Sequence, residues 1–203
     1  MASASALTYR KARLDGLNDG VFGVAMTLLV IDLRLPDDLH LGAGGLVPAL
    51  VDLWPKFLPY LISFFVLGLR WMANVQVEIR GDVVSASFAR WWLVSLFLIT
   101  CVPFTTIVFG RFPREAPAIC LYAGNTALIA AVSARMLALL PDVVPDDKNL
   151  ARRVSLAVSL VSSLVAILVS LVAPRFAVWV LALNVLTPIH VRRMRRRVKD
   201  AGG

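Results

Sequence analysis

One stretch constrains the chain most: Arg13 to Pro36, RLDGLNDGVFGVAMTLLVIDLRLP, too polar for a plain membrane anchor and too apolar for a soluble helix. Its uninterrupted apolar core runs only from Gly20 to Ile31. At about 1.5 Å per residue that is roughly 18 Å, short of the ~30 Å of hydrocarbon a spanning helix crosses. To span, it must draw Asn18, Asp19, Asp32 or Arg34 toward the membrane. Acidic side chains there are costly and normally face a protein interior or a water-filled path, so the helix is expected to line or support a site. The other reading places Asp19 and Asp32 at the two interfaces as solvated helix ends.

Composition puts the rest of the chain in the same solvent. Of 203 residues 59% are hydrophobic, with a mean hydropathy of +0.77, above what a soluble domain carries. Six apolar runs are long enough to span, at about 16–35, 52–73, 91–110, 116–139, 154–173 and 175–191. The expectation is an all-α integral membrane protein with six transmembrane helices. Residues 1–203 form one domain, with an N-terminal lead-in over 1–12 and a basic tail over 192–203. The formal charge of +8 is distributed unevenly. Sixteen of the 21 Lys and Arg fall in segments that share one side: the N-terminus, the connection after the second helix (Arg70, Arg80, Arg90), the fourth-to-fifth connection (Arg135, Lys148, Arg152, Arg153) and the tail. By the positive-inside rule both termini are cytoplasmic, in the plasma or inner membrane. The RRMRRR run at 192–197 then anchors topology against anionic lipid and calls for no nucleic acid.

Catalytic chemistry finds little to build on. His40 and His190 are the only histidines and are expected on opposite sides of the membrane. Cys101 and Cys120 lie inside expected helices without metal-ligand spacing. No enzyme, cofactor or stable metal site is expected. Local signals are structural: Pro48, Pro55 and Pro59 should kink the outer end of the second helix or set a separate interfacial turn before it, and Pro103 lies near the outer third of the third. Thr105 and Thr106 can satisfy carbonyls freed by that proline, Trp91 and Trp92 suit a headgroup anchor, and NVQVEIRGDVVSASFAR suits a helical extension or hairpin. Asn125 suits an interhelical hydrogen bond, and the serines of the fifth helix suit close packing.

At 100° per residue, Gly20, Val24, Thr27 and Ile31 share one narrow face of the first helix, with Leu17 and Leu28 on its edges. Several copies around an axis would set rings of Val24 and Ile31 as apolar constrictions on either side of a ring of Thr27 hydroxyls. Such a neck selects by dehydration, which favours K⁺ over Na⁺, with K⁺ held only transiently near Thr27. The same periodicity also describes a helix-packing seam.

These residues carry a resemblance. Arg13-Leu14-Asp15-Gly16-Leu17-Asn18-Asp19, then Val21, Val24, Thr27-Leu28-Leu29-Val30 and Pro36, resembles the first-helix signature of the endosomal and lysosomal potassium channel family of the transmembrane protein 175 type, in its prokaryotic six-helix form. Trp71 with Asn74, Pro103-Phe104-x-Thr106 and Tyr122 extend the likeness over about the first 125 residues. It implies a homotetramer whose first helices line a central pore. Val24 stands at the hydrophobic bottleneck, Thr27 at the hydroxyl ring and Ile31 at a further layer. It also implies a buried polar network of Arg13 and Asp19, with Asn18 and Asn74 at related positions. This chain departs from the signature: Leu17 and Asn18 replace its Phe and Ser, Asn74 replaces a histidine, and Val24 is smaller than the usual Leu or Ile. A wider neck should weaken discrimination against Na⁺. The expectation is a passive potassium-preferring cation channel whose partners are monovalent cations, membrane lipid and its own copies. A non-conducting membrane scaffold and, further off, an ion-coupled transporter are the alternatives.

Overall fold

In the computed structural model, which describes residues 8–35, 45–75, 82–139, 147–177 and 179–181, two three-residue strands set the register of the helices. Strand β1 (Thr8–Arg10) pairs antiparallel with β2 (Val83–Ser85), Thr8 opposite Ser85 and Arg10 opposite Val83. Each strand leads directly into a helix, β1 into α1 (Lys11–Leu28) and β2 into α4 (Ala86–Thr100). Lys11 N–H donates to the Asp82 carbonyl at 2.8 Å, and Ser85 caps α4 by accepting from Phe88 N–H at 3.2 Å. The two helices therefore start side by side. Within the expected lead-in, residues 8–10 are thus a strand, and 83–85, expected as helical extension or hairpin, form a strand paired with it. Neither strand is long enough to show alternation, so the pairing rests on a non-local contact.

Helix α1 continues as a 3₁₀ turn over Leu29–Asp32. Together these 22 residues reach roughly 35 Å at ~1.5 Å and ~2.0 Å per residue, enough to span. The prolines act as expected. A short α2 (Leu46–Val51) precedes α3 (Trp54–Val75), which contains Pro59. The third expected helix divides into α4 and α5 (Val102–Arg111), because Pro103 has no N–H for the carbonyl four residues back. Thr105 and Thr106 both donate to the Val102 carbonyl, at 3.0 and 2.8 Å, rather than to the carbonyl that Pro103 frees. Helices α6 (Ala116–Ala138) and α7 (Asp147–Val172) follow.

Among the described residues five segments are long and apolar enough to cross a membrane: Lys11–Asp32, Phe57–Val75, Ala86–Arg111, Ala116–Ala138 and Arg152–Val172. The protein is a multi-pass, mainly helical membrane protein. Of the expected sixth helix, residues 174–177 and 179–181 are helical. Residues 36–44, Gly81, Asn184, Pro188, His190 and the basic tail lie outside the described residues.

Three clusters hold the bundle, one of them Val84, Phe88, Trp92 and Leu96 beside the sheet. Phe22, Ala25 and Leu29 from the first segment pack with Leu67 of α3, Leu98 and Ile99 of α4, Val102 of α5, and Ile129 and Val132 of α6. Nearer the opposite end from the sheet, Phe109, Ile119, Tyr122 and Ala166 pack together, the Phe109 and Tyr122 rings stacked at 5.2 Å. Helix α7 meets α6 through small residues: Ser163, Ala166 and Ser170 are fully buried, and Cys120 Sγ lies 3.4 Å from Ser170 Oγ. Small side chains let backbones approach where lipid gives helices no hydrophobic drive to associate. Asn125 bridges to α4 as its burial required, Nδ2 donating to the Leu98 carbonyl at 3.2 Å.

Two arginines assigned to connections are inside helices. Arg70 lies before the end of α3 and donates to Ser159 Oγ of α7 at 3.1 Å, and Arg152 lies more than a turn into α7. The helices run further than the apolar runs suggested, because these guanidinium groups find acceptors within the bundle. Trp92 is also corrected: Trp91 is exposed, but Trp92, 100° round the helix, is only 8% exposed and packs on Phe88.

Candidate functional site on the first helix

The α1 segment has two apolar faces. On one, Phe22, Ala25 and Leu29 are 1–2% exposed in the core. Half a turn away, Val24 is 58% and Ile31 59% exposed, with Thr27 and Gly20 also exposed between and below them. Leu28 and Leu17 flank this stripe, both exposed. The structure thus brings together all five residues read from periodicity, Gly20, Val24, Thr27, Leu28 and Ile31. The 3₁₀ turn keeps Ile31 on the stripe although it leaves the α-helical register.

The stripe is apolar except at Thr27. Thr27 Oγ1 donates to the Val24 carbonyl at 2.9 Å, which commits its proton and leaves the oxygen lone pairs as acceptors on the exposed face. Gly20, where nothing stands within 4 Å of an added Cβ, leaves the stripe open on the sheet side of Val24. The face can meet lipid, another chain, or copies of itself about an axis. Only the last surrounds a path with an oxygen ring between two apolar ones.

The acidic residues of the segment are each held by a neighbour. Asp19 accepts from Trp71 Nε1 of α3 at 2.8 Å, and Asp32 is ion-paired with Arg111 of α5 at 2.9 Å. Asp15 pairs with Lys11 at 3.0 Å. Asn18, buried on the core side, lines a cavity at the sheet end of the bundle. Asn74 lines it too and accepts from Arg152 Nη2 at 3.2 Å. Arg13 departs from its expected role. It is exposed, makes no hydrogen bond or ion pair among the described residues, and lies on the Val24 side of α1. Five residues separate it from Asn18, about 140° of helix, so the two cannot share the buried side.

Sequence reasoning missed Arg152 as Asn74's partner and the Asp32–Arg111 pair. It also missed a hydroxyl chain in which Ser63 Oγ lies 2.8 Å from Thr106 Oγ1, whose own proton goes to the Val102 carbonyl, and 3.1 Å from Tyr122 Oη. Thr106 and Tyr122 carried a signal, through their places in the resemblance, and Ser63 carried none. Among the described residues no group of three or more His, Cys, Asp or Glu could hold a metal ion.

A model of the family described as endosomal/lysosomal potassium channel TMEM175 matches residues 13–103, which include the whole stripe. The chain is 32% identical over 127 residues to a potassium channel of Chamaesiphon minutus, covering 61% of this chain and 63% of that protein. It is 34% identical over 103 residues to a potassium channel of Streptomyces collinus, covering 51% and 49%. With the human endosomal/lysosomal proton channel TMEM175 it shares 30% identity over 114 residues, 52% of this chain and 23% of that one. The matches thus span about half to under two thirds of the bacterial relatives' length. Among solved structures, the crystal structure of a lysosomal potassium-selective channel TMEM175 homolog from Chamaesiphon minutus superposes with a TM-score of 0.77 at 27% identity. That match covers 89% of this chain and 97% of the other.

Proposed function

We propose that this chain belongs to the TMEM175 channel family and forms a homotetrameric cation channel that passes K⁺ in preference to Na⁺ through a central pore lined by α1 of each subunit. The observation that carries the reading is the pair of faces on α1. A helix already anchored through Phe22, Ala25 and Leu29 leaves a second apolar stripe, Val24 to Ile31, without a partner among the described residues. Rotational symmetry about an axis parallel to α1 turns that stripe into a lining.

Ion passage follows from what the stripe presents. Val24 and Ile31 offer no ligand, so an ion entering their rings gives up water without replacement, and a narrow apolar ring also dewets. Thr27 oxygens between them stand in for part of the lost shell. K⁺ holds its water less tightly than Na⁺ and pays the smaller penalty. Because valine is a short side chain, the neck is wider than a leucine or isoleucine ring, and discrimination is correspondingly modest. The sheet end faces the cytoplasm, since Arg10, Lys11, Arg13, Arg90, Arg135 and Arg153 gather there. Lipid surrounds the remaining exposed faces.

Val24→Asn tests the assignment in protein reconstituted into liposomes. A wettable ring should raise K⁺ flux several-fold and reduce preference over Na⁺. Unchanged flux in a folded, oligomeric variant removes Val24 from the path.

A further inference from the structure

The cavity at the sheet end is built where five helices converge, with Asn18 of α1, Asn74 of α3, Trp92 and Ser95 of α4, Ser133 of α6 and Arg152 of α7 among its lining. Its volume of about 30 Å³ has room for roughly two to three waters, at ~10–15 Å³ for each, or for one larger particle. Two N–H donors of its lining residues, Trp92 Nε1 and Arg152 Nη1, are buried and have no acceptor among the described residues. Trp92 is more than nine-tenths buried. The Asn74 carbonyl oxygen is already taken by Arg152 Nη2, so Asn74 has its amide N–H groups to offer.

Charge points the same way. Among the described residues the one carboxylate of the lining, Asp15, is committed to Lys11 at 3.0 Å, the lining carries one net positive charge, and Arg152 has no ion-pair partner. A buried guanidinium is costly without a counter-charge. A water accepting from Trp92 or Arg152 leaves that charge uncompensated. We propose that this cavity is a binding site for a small monatomic anion, chloride in the cell, held by Trp92 Nε1, Arg152 Nη1 and the Asn74 amide. A bound chloride neutralises Arg152 and accepts from donors on three helices at once. Asn18 places the site against the core side of α1.

Two readouts on the full chain test this without reference to conduction. Crystals grown in bromide should show an anomalous peak in the cavity, and a cavity without the peak overturns the proposal. The Tm of the purified protein should rise saturably when chloride replaces gluconate at fixed K⁺ and ionic strength, and equal Tm in the two salts overturns it as well. Trp92→Phe keeps the ring that packs on Phe88 and removes the donor. It should raise the chloride concentration at half-effect several-fold, as should Arg152→Gln where that variant folds. An unchanged midpoint in Trp92→Phe contradicts the assigned donors.

Discussion

Phe22, Ala25 and Leu29 on one side of α1 and Val24, Thr27 and Ile31 on the other are close in size and polarity, yet one set is sealed in the core and the other bare. The difference teaches that hydrophobicity along a membrane helix does not say what it meets. In water, an apolar face points inward. In a bilayer, lipid, protein and a narrow pore neck all accept one, and the distinction falls to what the neighbouring helices leave uncovered.

The sharpest way to break the comparison is to empty the buried face. Phe22→Ala is expected to cost about 2–3 kcal/mol, the cavity part of the ~3–5 kcal/mol such a change costs in water, since the unfolded reference in a membrane is already apolar. Thermal unfolding in detergent reads it as a lowered Tm. Next comes the tie between α1 and α3. Trp71→Phe removes the donor to Asp19 and should cost about 1 kcal/mol, discounted because both groups are exposed in the single chain. Arg111→Gln, which opens the Asp32 pair at the other end, should cost roughly 0.2–1 kcal/mol by the same measurement. Smallest in stability is the bare face itself. Thr27→Val should shift unfolding by within about 0.5 kcal/mol. It should nonetheless lower the K⁺ over Na⁺ flux ratio in liposomes by removing the oxygen ring. If Phe22→Ala and Thr27→Val destabilise equally, the two faces are not different in kind.

Much of this was legible in the residues. The shortage of apolar length between Gly20 and Ile31 announced that polar groups of the first segment would need partners, and Asp19 and Asp32 have them in Trp71 and Arg111. Pro103 marked the break between α4 and α5, and Asn125 its bridge to α4. The stripe itself was legible as a period, but not as a bare surface, because the same period fits a packed seam. What escaped was non-local. Three-residue strands 75 residues apart leave no pattern in either segment, and Trp92 differs from Trp91 only by its angle on the helix. Arg70 and Arg152 were counted as loop charges because nothing near them in sequence shows that Ser159 and Asn74 will be their acceptors.

The central claim is that the bare face of α1 encloses an ion path. The most direct measurement is the reversal potential of purified protein in a planar bilayer with K⁺ on one side and Na⁺ on the other, for the wild type and for Val24→Asn. The account expects a reversal displaced toward the K⁺ equilibrium potential, by an amount that shrinks when Val24 becomes polar. A folded, oligomeric protein that passes no current, or a reversal potential indifferent to Val24, would contradict it.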